Sequence, residues 1–114
     1  MKKLATIVLF LLLIADATAQ WQTNGVAVCD TSANVGIVTL PRITPDGEGG
    51  AYICWRDIRN LDYDIFAQRV DRSGIVLWQK NGVPIAQLLG SQNFPRITDD
   101  AHGGAFVAWE DHRQ

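Results

Sequence analysis

Three carboxylates lie close together in the middle of the chain, at Asp57, Asp62 and Asp64. A paired-carboxylate hydrolase needs an acid and a base held about 5–10 Å apart, and these residues offer both groups. The same oxygens are candidates for calcium, a hard ion that takes about six to eight oxygen ligands. Their spacing matches no EF-hand loop, so calcium is a weak expectation, and the sequence gives no geometry for either chemistry.

Two Asp–Arg pairs recur along the chain. Asp57 precedes Arg59 by two positions, and Asp111 precedes Arg113 in the same way. A catalytic residue is needed once per active site, whereas a structural residue is needed once per repeat. We therefore expect these pairs to be ion pairs or backbone caps that fasten a strand to its connection, because a buried charge needs a partner.

The usual motifs of enzymes and metal sites are absent from the sequence. His102 and His112 have no zinc-ligand spacing around them. The chain contains no G-x-S-x-G nucleophile elbow, Walker loop or dinucleotide-binding fingerprint. We therefore predict no catalytic residue, no cofactor-binding residue and no firm metal ligand.

The elements that position these residues belong to an internal repeat, which the four tryptophans outline. Trp21 and Trp78 each open a W-Q-x-N-G-V segment, 57 residues apart. Trp55 and Trp109 each lie in a G-G-A-x-x-x-W-x-D-x-R segment, 54 residues apart, and we expect both to pack in the core between sheets. The repeat predicts a first copy over residues 20–77 and a second, truncated copy over residues 78–114.

The pattern within one copy predicts four short antiparallel strands, and no helical periodicity occurs outside the N-terminal segment. The predicted strands are residues 41–44, 51–57, 64–70 and 75–78. The predicted connections are a glycine-rich turn at 46–50, a polar stretch at 58–63 and a hairpin turn at 71–74. In the last of these, Gly74 can supply the left-handed position. Asp46 and the Asp99-Asp100 pair are predicted to form turns.

The second predicted strand is apolar on both faces. Ala51, Ile53 and Trp55 lie on one face, and Tyr52 and Cys54 lie on the other. A sheet with two apolar faces must be covered on both sides, which neighbouring blades of a β-propeller do for one another. We therefore predict an all-β fold of four-stranded propeller blades, in an incomplete array, because closure takes at least about four blades.

The N-terminus has the pattern of an export signal. Lys2 and Lys3 precede an apolar run at 4–15, and Ala17 and Ala19 form a small-residue cleavage site. The pattern predicts a signal-peptide helix over 1–19, cleavage after Ala19, and a secreted or cell-surface protein. A spanning helix needs about 20 apolar residues, so the membrane is expected to take part only during export.

The net charge of the chain is −2, and its basic residues are scattered. Nucleic-acid binding usually needs a clustered basic surface. The sequence therefore argues against a nucleic-acid partner.

The two cysteines are both in the first copy, since Cys29 aligns with Ala86 and Cys54 aligns with Ala108. Their joint presence in an exported chain makes them a candidate disulfide. The alternative is two small buried thiols, because free cysteine packs like a small apolar group.

One long pattern resembles a known family. The sequence P-R-I-T-x-D-x-x-G-G-A-x-x-x-W-x-D-x-R, then D-I-F-A-Q-R-V-D-x-x-G-x-x-x-W, is similar to repeats of large secreted bacterial proteins. Those proteins carry propellers of the sialidase-like superfamily, and many end in a type IX secretion sorting domain. The resemblance covers residues 21–114 and implies a propeller fold in an extracellular setting.

The same resemblance suggests a role for Arg42 and Arg96, which both lie in P-R-I-T. Sialidases place a catalytic arginine in a similar R-I-P tetrapeptide, where it binds the substrate carboxylate. Here the arginine recurs and no proline follows the isoleucine, so a structural role once per repeat is favoured. The Asp box of sialidases, S-x-D-x-G-x-T-W, is also absent.

These observations favour a non-enzymatic function. The leading hypothesis is a piece of an exported β-propeller that serves as a surface binding or scaffolding module. Its expected partners are further propeller blades and a surface protein or glycan. The alternative is a fragment of a sialidase-like glycoside hydrolase.

Overall fold

The computed structural model of the chain describes residues 21–30 and 37–113. Six β-strands and no helix occur in these residues, so the all-β prediction is confirmed for them. The strands are β1 (Thr39–Pro45), β2 (Ala51–Asn60), β3 (Asp62–Val70), β4 (Val83–Ala86), β5 (Gln92–Asp99) and β6 (Ala105–Asp111). The predicted signal peptide, residues 1–19, lies outside the described residues.

The six strands form two antiparallel sheets. The first sheet has the order β1-β2-β3-β4, and the second pairs β5 with β6. Equivalent residues pair in the two sheets, because Ile43 lies opposite Ile53 in the first and Ile97 lies opposite Val107 in the second. The predicted four-stranded antiparallel sheet is present, and the second sheet repeats its first two strands.

The fourth strand of the first sheet is not where the sequence predicts it. Residues 75–78 contribute only an isolated bridge between Val76 and Val70. The strand that borders β3 is β4, whose first residue, Val83, pairs with Ala67. The buried Gln68 side chain binds the backbone of residues 78 and 79, so the chain leaves the β3 edge there and returns to it after a turn.

The predicted polar connection at 58–63 is also wrong. β2 continues to Asn60 and β3 begins at Asp62, so Leu61 alone separates the two strands. Strands β2 and β3 stay paired up to this turn, and a side-chain hydrogen bond joins them there: Asn60 Nδ2 donates to Asp64 at 2.8 Å. Leu61 makes the reversal with a φ of 83°.

The first pair of strands in each sheet carries the same β-bulge. The register of β1 and β2 shifts between Thr39 and Arg42, and that of β5 and β6 shifts between Asn93 and Arg96. Leu40 and Phe94, which are equivalent in the repeat, adopt positive φ angles of 55° and 50°. A bulky residue rarely takes this conformation, so the bulge is a specific structural feature of both copies.

Part of the core lies between the two sheets. Strand β5 of the second sheet contacts β1, β2 and β3 of the first. Tyr52 and Ala67 on one face of the first sheet approach Ile97 and Val107 on the facing side of the second. The alternation predicted for β2 therefore places Tyr52 and Cys54, which are both buried, on the face that the second sheet covers.

Three polar contacts also join the sheets. The Tyr52 hydroxyl donates to the Gly103 carbonyl at 2.5 Å. The Asp99 amide donates to Thr44 Oγ1 at 3.1 Å. The Arg56 guanidinium donates to Asn93 Oδ1.

Candidate functional site

Three tight turns share one hydrogen-bond pattern, and each of them reverses the chain between two antiparallel segments. In each, an aspartate carboxylate accepts backbone N–H groups from the second and fourth residues after it, at 2.7–2.9 Å, as Asp46, Asp71 and Asp100 do. The hairpin turn predicted at 71–74 is present, and Gly74 has the expected positive φ of 79°. The acidic residues at 46 and 100 are therefore turn formers, as predicted.

Asp46 and Asp100 are held as carboxylates by these bonds. Hydrogen bonds from the Glu48 amide, followed by those from Arg69 and the Gly50 amide, lower the pKa of Asp46 below its ordinary value. Amide bonds from His102 and Gly104 lower the pKa of Asp100. A carboxylate that is stabilised in its charged form is a poor general acid.

A cleft separates the turn after β1 from the turn after β5. Its walls include Asp46, Glu48, Asp99 and His102. Each polar group already has a local partner: Glu48 pairs with Arg69 at 2.9 Å, and His102 Nδ1 lies 2.7 Å from the Asp100 carbonyl. The cleft therefore has a polar surface, and the described residues that line it include no nucleophile–base pair of catalytic geometry.

The first Asp–Arg pair is a buried cluster on the other face of the first sheet. Arg59 Nη2 lies 2.5 Å from Asp57 Oδ2, and Asp57 is fully buried. Trp55 Nε1 donates to the same carboxylate at 2.9 Å, and Arg59 stacks 3.5 Å above the Phe66 ring. Arg59 also donates to the Asn81 carbonyl, so the pair fastens β2 to the turn that precedes β4.

The second Asp–Arg pair repeats this geometry near the surface. Arg113 Nε lies 2.8 Å from Asp111 Oδ2, and the Arg113 amide donates to Asp111 Oδ1 at 3.1 Å. The corresponding amide bond in the first copy, from Arg59 to Asp57, measures 3.2 Å. Each pair is therefore both an ion pair and a backbone cap.

The three calcium candidates lie near one another, but each carboxylate already has a partner within the protein. Asp57 is bound by Arg59, Asp64 accepts a hydrogen bond from Asn60, and Asp62 accepts one from the Gly90 amide at 3.3 Å. Among residues 21–30 and 37–113, no group of three or more His, Cys, Asp or Glu side chains has an arrangement that suits a metal ion.

Arg42 and Arg96 have matching local contacts. Arg42 Nη1 donates to the Pro41 carbonyl at 2.9 Å, and Arg96 Nη1 donates to the Pro95 carbonyl at 3.1 Å. Each arginine lies opposite a small residue of the neighbouring strand, Cys54 or Ala108. The two side chains therefore make equivalent contacts in separate sheets.

The four tryptophans occupy different environments. Trp55 is buried, whereas Trp109 is half-buried and borders an open surface beside Phe94. The Trp78 ring lies 5.6 Å from the Tyr52 ring, beside the junction of the two sheets. Trp21 is 49% exposed. They do not form one aromatic platform.

The two cysteines of the candidate disulfide are both free. Cys29 Sγ lies 3.9 Å from Arg59 Nη2, on the face of the first sheet that carries Trp55 and Arg59. Cys54 projects from the opposite face, because neighbouring residues of a strand alternate. Burial raises the pKa of Cys54 to about 11 and also raises that of Cys29, which disfavours the reactive thiolate at both.

Sequence reasoning missed several polar residues that join distant parts of the chain. Arg56 donates to Thr39 and Asn93, and its guanidinium lies 4.0 Å from the Tyr63 ring centroid. Gln92 is fully buried, and its Oε1 has no hydrogen-bond partner among the described residues. No local signal marks such residues, because their partners are far away in sequence.

No protein-family model, curated protein or solved structure matches the chain. Within the described residues, no helix has the length and apolar character needed to cross a membrane.

Proposed function

We propose that the chain is part of an exported β-propeller repeat protein that serves as a binding or scaffolding module at the cell surface. The observation that carries this proposal is the recurrence of the same contacts in two stacked sheets. A propeller is built from sheets that are apolar on both faces and that stack on one another in the same way from repeat to repeat. The partners are further blades, and the ligand is a surface protein or a glycan.

The use of the charged residues supports a non-enzymatic role. The arginines at 42 and 96 and the Asp–Arg pairs make equivalent contacts in both sheets. The turn aspartates are occupied by backbone amides. An active site would need at least one group that differs between the copies and faces an open cleft.

A hydrolysis assay tests this against the alternative of a sialidase-like hydrolase. The purified protein and the Arg42→Ala and Arg96→Ala variants are incubated with a fluorogenic sialoside. We expect no release of the fluorophore and a similar, small loss of stability in both variants. Release that one substitution abolishes and the other preserves would overturn the non-enzymatic proposal, because a catalytic arginine acts at one site only.

Export is tested separately. The leader pattern supports secretion by the general export pathway with cleavage after Ala19. Expressed in a bacterial host with its own N-terminus, the protein should leave the cytoplasm, and mass spectrometry should find Gln20 as its first residue. Cytoplasmic protein that retains Met1 would contradict the proposal.

The proposal assigns no role to a cofactor. The candidate calcium ligands Asp57 and Asp64 are bound by Arg59 and Asn60, which occupy the oxygens that calcium would need. Thermal melting in calcium and then in chelator should give the same midpoint. A midpoint that rises with calcium would add a metal site to the module.

A further inference from the structure

Both outer faces of the sheet pair carry exposed apolar residues. On the first sheet, Ile43 is 68% exposed, and on the second, Phe106 is 68% exposed. These two surfaces lie on opposite sides of the pair, because Ile43 and Phe106 lie on the faces that do not form the junction. They are called the Ile43 face and the Phe106 face below.

Each outer face is the repeat equivalent of a face that is already used inside the molecule. The second sheet presents Ile97, Gly104, Ala105 and Val107 to the junction. The equivalent residues of the Ile43 face have the same or similar types: Ile43, Gly50, Ala51 and Ile53. Likewise, Phe106 is equivalent to Tyr52, which receives the second sheet.

We infer that the Ile43 face of one molecule docks on the Phe106 face of a second copy, in the arrangement that joins the two sheets within the chain. The internal junction shows that surfaces of these two types are complementary. Such a contact is head-to-tail, so it extends into rings or filaments instead of ending at a symmetric dimer. This inference rests on the repeat architecture of the proposed function.

Two of the three polar contacts of the junction do not carry over to this second contact. Tyr52 donates its hydroxyl inside the chain, but its equivalent Phe106 has none. Asp99 donates its amide to Thr44, but its equivalent Pro45 has no N–H. Apolar burial must therefore carry most of the association. We expect a Kd of about 10 µM or weaker and little dependence on salt.

The Phe106 face is also smaller than its internal counterpart. Inside the chain, Ala67 of β3, Ile85 of β4 and Trp78 widen the surface around Tyr52. The second sheet has only β5 and β6 among the described residues, so the docked area is reduced. This also favours weak, concentration-dependent association.

Sedimentation velocity over a concentration series that spans the expected Kd tests the inference. The protein purified from the exporting host is compared with Phe106→Glu, Ile43→Glu and the control Leu61→Glu, which changes a side chain that is 95% exposed on neither face. We expect the parent protein and the control to form larger species as concentration rises. Each of the other variants should stay monomeric, because each loses one of the two docking faces.

Mixing the two monomeric variants distinguishes head-to-tail docking from pairing of two identical faces or of two strand edges. The intact Phe106 face of Ile43→Glu should bind the intact Ile43 face of Phe106→Glu, and the mixture should form a dimer and nothing larger. This result also shows that both variants are folded. Association of Ile43→Glu alone would indicate pairing of two Phe106 faces or of two β6 edges, and would overturn the inference.

A parent protein that stays monomeric throughout the series would also overturn the inference. The hydrolysis and export results would be unaffected by that outcome. Failure of self-association is therefore distinguishable from failure of the proposed function.

Discussion

Ile43 and Ile97 occupy equivalent positions in β1 and β5, but Ile43 is 68% exposed and Ile97 is half-buried. The next residue reverses this order, because Thr44 is buried and its equivalent Thr98 is exposed. Tyr52 and Phe106 differ in the same sense, with exposures of 5% and 68%. Residue type alone therefore does not decide burial in this repeat.

The stacking order of the sheets explains these differences. The second sheet covers the face of the first that carries Thr44 and Tyr52, and in return the first sheet covers the face that carries Ile97. Thr44, Tyr52 and Ile97 are thus covered where the sheets meet, whereas Trp55, on the opposite face of the first sheet, is covered by the segment around Gly82. The repeat encodes two apolar faces in each copy, and the segments that pack on a face determine how much of it is buried.

The largest expected difference between the sheets concerns their central tryptophans. Trp55 is 1% exposed, so Trp55→Ala should lower the free energy of unfolding by about 3–5 kcal/mol. The equivalent Trp109 is half-buried, and Trp109→Ala should cost about 1–2 kcal/mol, since less apolar area returns to water. Urea denaturation of both variants measures this. Equal losses would show that the second sheet is covered as completely as the first.

The Asp–Arg pairs should give the next largest difference. Arg59→Met leaves the buried Asp57 carboxylate without its cation, which should cost about 3 kcal/mol. Arg113→Met breaks the equivalent pair, whose arginine is exposed, and should cost under about 1 kcal/mol. Chemical denaturation at neutral pH checks both values. A costly Arg113→Met would mean that Asp111 is more enclosed than its exposure indicates.

Two equivalent glycines allow the effect of backbone conformation on stability to be distinguished from the effect of packing. Gly25 and Gly82 both follow an asparagine in W-Q-x-N-G-V and have φ angles of 85° and 84°. A Cβ at Gly82 would lie 2.6 Å from the Trp55 ring, whereas a Cβ at Gly25 meets nothing within 4 Å.

Substitution of these glycines tests the contact with Trp55. Gly82→Ala should lower stability by about 2–3 kcal/mol, because strain from a positive φ adds to overpacking. Gly25→Ala carries the strain alone and should cost about 1 kcal/mol. Thermal or urea unfolding compares the two, and Gly82→Ala should cost less in a Trp55→Phe background than in the parent protein, because the smaller ring leaves room for the added Cβ. Equal effects of the two single substitutions would show that the contact is unimportant.

Local patterns in the sequence predicted the parts of the fold that local contacts determine. The turn at Asp71, its glycine at 74 and the two-faced alternation of β2 all follow from residue type and spacing. The turn carboxylates at 46 and 100 were predicted for the same reason. These features need no knowledge of distant residues.

The missed features depend on contacts between distant residues. Residues 75–78 have the composition of a strand, but the buried Gln68 side chain binds the backbone of Trp78 and moves the edge strand to Val83. The bulge at Leu40 places a bulky residue at positive φ, against its intrinsic preference, and only pairing with β2 reveals it. Of the candidate site, the paired charges were predictable, but their difference in burial was not, because it depends on Phe66 and Asn81, which contact Arg59 from β3 and from the turn before β4.

The smallest expected effect concerns Asp64, a buried carboxylate that has no equivalent among the described residues of the second sheet. Burial raises its pKa above the ordinary value of 3.8, and the nearby Asp57 and Asp62 carboxylates add to the rise, although the bond from Asn60 opposes it. A raised pKa in the folded state means that the protonated form fits the fold better. The contribution of Asp64 to stability is therefore fully present below pH 3.8 and is lost as pH rises through the folded pKa.

Asp64→Asn should accordingly stabilise the protein at neutral pH, because asparagine is uncharged and its side-chain oxygen can still accept the bond from Asn60. The gain should shrink as pH falls and disappear below pH 3.8, where Asp64 itself is protonated. Urea midpoints across the pH range measure this, with Glu110→Gln as the control at an exposed position of the second sheet. A stabilisation that is the same at acid and neutral pH would show that the substitution acts through packing, and the burial of charge at Asp64 would then be no cost to the first sheet.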